Sequence, residues 1–133
     1  MKTALIHSDD FLLHDTGNHP ERSERYVSIL QGLRAEQELW EDLVKLSPRV
    51  VTDEEILRCH ERNTIATLQH ACLLSHGERI QLDADTVVSD ASDHVARLAA
   101  GGICQAIDEV MSTTIRRAFV ACRPPGHHAT VRQ

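Results

Sequence analysis

Ala118-Phe119-Val120-Ala121-Cys122-Arg123-Pro124-Pro125-Gly126-His127-His128-Ala129 is the stretch on which the reading of this chain turns. Residues 118–122 form a short apolar run of the length and composition of a buried strand. Two prolines then remove the N–H groups a ladder would need, and Pro125-Gly126 is a turn dipeptide. The stretch therefore reads as a strand that stops abruptly and presents two adjacent imidazoles from its carboxyl end. In open α/β sheets that end is where ligands bind. An imidazole gives and takes a proton near neutral pH and also ligates metals, so two of them at one strand end can divide proton transfer and charge stabilisation.

Upstream of this stretch, Ser92 to Met111 carries the clearest periodicity in the chain. Val95, Leu98, Ala99, Gly102, Ile103, Ala106, Ile107, Val110 and Met111 fall at steps of three and one, which predicts a long amphipathic helix. Gly101-Gly102 inside it costs about 1 kcal/mol per residue relative to alanine, and close packing against a neighbour is the expected compensation. At the other end, residues 2–7 read as a first strand, followed by a polar loop over 8–21 that is long enough to suggest function. A helix begins near Pro20 or Ser23, with Tyr26, Ile29, Leu30 and Leu33 on one face. Residues 36–43 predict a short helix, and 44–52 a short or edge strand containing Val50-Val51. Thr52-Asp53-Glu54-Glu55 has the form of a capping box. Asn63 reads as the N-cap of the next helix, with Ile65, Leu68, Cys72 and Leu73 inward and Gly77 at its end. Residues 77–92 read as a second loop, containing Asp83-Ala84-Asp85-Thr86. Strands separated by helices predict an α/β fold, a parallel sheet flanked by helices on both faces.

Composition narrows the function. At 133 residues with 41% apolar content the chain is the size of one domain with a core, and its formal charge of −6 argues against nucleic acid or anionic membranes as partners. No apolar run is long enough to span a bilayer and no signal-peptide layout opens the chain, so a cytoplasmic location is expected. Cys59, Cys72, Cys104 and Cys122 are scattered, as free thiols of a reducing compartment are. His7, His60, His70, His76 and His94 read as surface or satisfied core imidazoles.

Four stretches in order carry a resemblance. Arg123 to Ala129 is similar to the signature of the histone deacetylase and acetylpolyamine amidohydrolase superfamily. His19-Pro20-Glu21-Arg22-Ser23-Glu24-Arg25 resembles that family's HPERPER element, with Ser23 where proline is more usual. Asp83-Ala84-Asp85-Thr86 resembles its DxDT loop, and Ala96 to Gly102, ending Leu98-Ala99-Ala100-Gly101-Gly102, the small-residue helix that follows. The resemblance implies an arginase-like fold and zinc-dependent hydrolysis of an N-acetyl amide. By the same resemblance, His128 corresponds to the general base that later protonates the leaving amine, and His127 to a partner supplying electrostatic stabilisation. Asp85 corresponds to a rim aspartate that holds the substrate backbone, and Arg25 to an arginine lining an internal cavity. The expected partner is an acetylated small molecule or an acetyl-lysine protein.

The family's zinc ligands, its oxyanion tyrosine and the carboxylates that orient the imidazoles lie beyond the histidine pair, and residues 1–133 hold none of them. Asp90 and His94 read as solvated helix residues rather than replacement ligands. The expectation is that residues 1–133 form the N-terminal portion of a single deacetylase-like catalytic domain, catalytically silent alone and self-associating through an exposed sheet edge. A non-catalytic oligomerisation or interaction module on the same architecture is the alternative. A bimetallic ureohydrolase of the same fold is a weaker third, because Arg-Pro-Pro-Gly-His-His points elsewhere.

Overall fold

The computed structural model describes residues 2–132. Its elements run β1 (Lys2–Ile6), a 3-10 turn (Asp9–Leu12), α1 (Ser23–Ala35), α2 (Gln37–Asp42), β2 (Leu43–Leu46), α3 (Asp53–Ile56), α4 (Arg62–Ser75), β3 (Ile80–Asp83), β4 (Thr86–Val88), α5 (Ser92–Ser112) and β5 (Ile115–Val120). β1 lies between β2 and β5, and both pairings are parallel. Ala4, Leu5 and Ile6 are fully buried, as expected where successive side chains of a central strand meet a covered face on each side. Leu5 joins Tyr26 and Leu30 of α1 in the core. Ile6 points to the other face, where its Cγ2 lies 3.4 Å from the position a Cβ would take on Gly102 of α5. Helices thus flank the sheet on both faces.

The glycine pair in α5 has a physical cause. A Cβ on Gly101 would sit 2.0 Å from the carbonyl oxygen of Arg49 and 2.7 Å from the amide nitrogen of Val51. The 49–51 backbone crosses the helix there, and the Val51 N–H donates to the Arg97 carbonyl at 3.1 Å. This crossing corrects the bounds of the expected strand: β2 is a short edge strand over residues 43–46, while Val50-Val51 lies outside it and Val51 gives its N–H to α5 instead of to the sheet.

Other boundaries moved for identifiable reasons. The capping box at Thr52 and Glu55 forms as predicted. The α4 helix, however, starts at Arg62 with Glu61 as N-cap, not Asn63, and the Val131 carbonyl accepts from the Glu61 amide at 3.0 Å. Leu73, expected inward, is 74% exposed, because it sits one residue (about 100° of helical turn) beyond Cys72, which does pack inward with Ala71 and Val88. Residues 77–92 are not all loop. β3 and β4 form an antiparallel hairpin whose tip is Ala84-Asp85, with Asp83 accepting from the Asp85 amide at 2.8 Å and the Thr86 hydroxyl at 2.9 Å. β5 begins at Ile115, three residues earlier than predicted. Arg116 and Arg117 mask the pattern there because both side chains reach solvent.

The arc of α5 predicted as apolar is only partly covered. Val95, Leu98, Ala99 and Ala106 are buried, whereas Ile103, Ile107 and Met111 are exposed. Phe119 of β5 is exposed as well, and among the described residues the outer edge of β5 pairs with no strand.

Candidate active site

The site is built on the end of β5. Ala121 prolongs the pairing by donating to the Ile6 carbonyl at 2.9 Å, and the chain then leaves the sheet through Arg123, Pro124 and Pro125. Gly126 takes φ +72°, a conformation side chains rarely adopt, and its carbonyl accepts from the Ala129 amide at 3.0 Å. This tight turn sets the rings of His127 and His128 with centroids 4.3 Å apart and planes inclined by 54°. Both side chains are open to solvent.

The hairpin tip approaches the same spot. Asp85 Oδ2 lies 3.5 Å from His128 Nε2, and Asp85 Oδ1 lies 2.9 Å from His19 Nε2. Thus three segments distant in sequence, 19, 85 and 127–128, converge on one surface. Arg25 does not reach that surface. From the first turn of α1 its Nη2 donates to Glu21 Oε1 at 3.2 Å and to the Cys122 carbonyl at 3.1 Å, which places it beneath the turn. Asp90 and His94 are not paired with each other: His94 pairs with Asp10 at 3.0 Å, and Asp90 accepts from the Ala91 amide.

Beneath the histidines lies a polar hub that sequence reasoning missed. Arg123 is fully buried. Its guanidinium grips Glu21 with two bonds of 3.0 Å, donates to the carbonyls of Phe11 (2.9 Å) and His14, and reaches the Thr16 hydroxyl at 3.5 Å. Burial pushes the Glu21 carboxyl up, but the hydrogen bonds and charge of Arg123, with help from Arg25, outweigh it and hold it below the usual carboxylate range. His14 shares a hydrogen bond of 2.7 Å with Ser92 at the start of α5. Burial, reinforced by the charge of Arg123, lowers its pKa to about 4, so it is a neutral structural imidazole. Burial also raises the Cys122 thiol, which keeps it protonated and unsuited to act as a nucleophile. One signal for the hub was present: an arginine directly after the apolar run 118–122 requires a carboxylate once it is buried, and residues 8–22 supply Asp9, Asp10, Asp15 and Glu21.

The donor set does not by itself suit a metal. Among the described residues no three His, Cys, Asp or Glu side chains are grouped to hold an ion. An open groove of about 420 Å³ between α4 and β3, lined by Asn63, His70, Leu74 and Ile80, is separate from the histidine pair. None of the described helices is long and apolar enough to cross a membrane.

Known proteins resemble this chain over most of its length. The family model of the histone deacetylase domain matches residues 19–133, beginning at His19 itself. The chain belongs to the histone deacetylase family. Relatives of this deacetylase-family chain include an uncharacterised Synechocystis protein, 40% identical over 95% of the chain and 41% of that protein. A probable deacetylase of Archaeoglobus fulgidus is 31% identical over 97% of the chain and 35% of that protein. A human polyamine deacetylase is 31% identical over 96% of the chain and 20% of that protein. The crystal structure of the HDA15 HD domain superposes with a TM-score of 0.89 at 26% identity, covering 99% of this chain and 38% of that one. The fold and family implied by the four motifs are both borne out. The chain spans 41% or less of the length of each of these relatives.

Proposed function

We propose that these residues form the N-terminal portion of a catalytic domain that hydrolyses an N-acetyl amide, and that they supply its acid–base half. The observation that carries the reading is the meeting of His127 and His128, ring centroids 4.3 Å apart at the end of β5, with Asp85 3.5 Å from His128. His128 takes a proton from the attacking water and returns it to the amine nitrogen as the C–N bond breaks, releasing acetate and a free amine. His127, tilted against it, stabilises the charge that develops on the reacting carbonyl. Asp85, at the rim on a hairpin tip, accepts an N–H of the bound substrate. Arg25, held beneath the turn by Glu21 and the Cys122 carbonyl, forms the floor of the site.

The zinc ion that family resemblance implies supplies Lewis-acid polarisation when bound. The residues described here do not fit it alone, so its ligands would come from outside them, and no step above is routed through it. The substrate class is an acetylated small molecule, as the name of the polyamine deacetylase suggests, or an acetyl-lysine protein. The formal charge of −6 gives no support for nucleic acid or anionic membranes as partners, and a cytoplasmic enzyme fits the scattered free thiols.

The second reading, a non-catalytic interaction module, draws on the open β5 edge and the exposed Phe119, Ile103, Ile107 and Met111. Acetate release separates the two. The full-length polypeptide carrying this chain, supplied with zinc and given an acetylated polyamine or an acetyl-lysine peptide, is expected to turn over at least one of them, and residues 1–133 alone neither. Equal inactivity of both proteins would favour the module.

A further inference from the structure

Asp85 sits at a hairpin tip with most of its side chain in solvent, where a carboxylate ordinarily samples several rotamers. Its backbone is fixed by the bond from its amide to Asp83 Oδ1 at 2.8 Å, but that bond leaves the carboxylate free. What fixes the carboxylate is His19, whose Nε2 lies 2.9 Å from Oδ1. The other nitrogen of that ring decides the proton's position. The Glu21 backbone N–H points at His19 Nδ1 at 3.0 Å, and an amide N–H can only donate. Nδ1 is therefore the acceptor, the ring proton resides on Nε2, and that proton is donated to Asp85. Glu21 is in turn immobilised through its carboxylate by Arg123 Nε and Nη2 and by Arg25.

A continuous path thus runs from Arg123, the first residue of the signature turn, through Glu21, His19 and Asp85 to His128, its last histidine. We propose that His19 is a positioning residue for substrate binding: it holds Asp85 Oδ1 so that Oδ2 faces the histidine pair, ready for a substrate N–H. This rests on the deacetylase reading of the site. Neither the pattern of the sequence nor the role assigned to Asp85 by resemblance required it, since His19 touches no reacting atom.

Two side chains separate the halves of the imidazole. Glutamine can place an amide N–H where Nε2–H stands, whereas asparagine keeps an acceptor near Nδ1 and falls short of Asp85. In the full-length protein, His19→Asn is expected to raise KM for an acetyl-lysine peptide about tenfold, the low end for a hydrogen bond to a charged group, with kcat within about twofold. His19→Gln is expected to recover most of that loss. A drop in kcat, or identical behaviour of the two variants, overturns the proposal. Independently of turnover, two-bond ¹H–¹⁵N correlation of the protein labelled at histidine, with His19 assigned by its disappearance in His19→Gln, is expected to report the Nε2–H tautomer. The Nδ1–H tautomer overturns the proposal. If the wild-type protein hydrolyses no N-acetyl amide, the deacetylase reading fails, and the tautomer alone then decides whether His19 orients Asp85.

Discussion

Replacing Arg123 by methionine tests the hub on which the site stands. The substitution keeps much of the side chain's volume but removes every donor from a position with no solvent exposure. Glu21 loses its two 3.0 Å bonds, keeping only Arg25 at 3.2 Å, and the carbonyls of Phe11 and His14 lose their partner. Breaking one side of a buried pair costs about 3–5 kcal/mol, and the remaining contact to the partly exposed Arg25 places this case near 3. Removing the carboxylate as well, in Arg123→Met/Glu21→Leu, leaves only the partly exposed Arg25 without its carboxylate and no buried orphaned charge. The double variant is therefore expected to be less destabilised than the sum of the singles by more than about 1 kcal/mol. Urea denaturation followed by Trp40 fluorescence, with amide exchange over residues 8–22, measures both the cost and where it falls. A loss under about 1 kcal/mol for Arg123→Met, or strict additivity in the double variant, would refute the claim that this pair holds the loop to the strand end.

Further outcomes follow from the same structure. His14 has a folded pKa of about 4, below its unfolded value, so the unfolded chain binds a proton that the folded chain refuses between pH 6.5 and 4. Stability is expected to fall through that window as pH is lowered, by on the order of 3 kcal/mol, and His14→Leu should flatten the denaturation profile there. Gly101→Ala should destabilise strongly, because its Cβ would overlap the Arg49 and Val51 backbone. Gly32→Ala in α1, where nothing lies within 4 Å, should instead stabilise by about 0.5–1 kcal/mol, and thermal melts of the two check the contrast. On size-exclusion chromatography residues 1–133 are expected to self-associate, and Phe119→Lys with Ile107→Glu to shift them toward monomer. A clean monomer in the unsubstituted chain would contradict that.

The parts of this molecule that could be read from the sequence are those written in local chemistry. The period of α5, the capping box at Thr52 and Glu55, and the turn chemistry of Pro125-Gly126 each depend on residues a few positions apart. What escaped depends on long-range contact. Val50-Val51 has the composition of a strand, yet the glycine pair lets its backbone lie against α5. Arg116-Arg117 hides the start of a strand because the pairing with β1 slips by one residue there and both side chains reach solvent. The histidine pair was legible as a site because an apolar strand run ends there at a Pro-Pro-Gly turn, and family resemblance singled out Asp85 and Arg25. The links among them were not, because Arg123–Glu21 spans 102 positions and His19–Asp85 spans 66.

In the function proposed above, His128 is the proton-transferring group of an amide hydrolase. The most direct measurement is acetate release by the full-length protein carrying His128→Ala, with its stability measured in parallel. His128 is 73% exposed on its side chain, so the substitution should leave folding intact. The account predicts a fall in kcat of about 10²–10⁴-fold at unchanged stability, and a kcat within about twofold of wild type would contradict it.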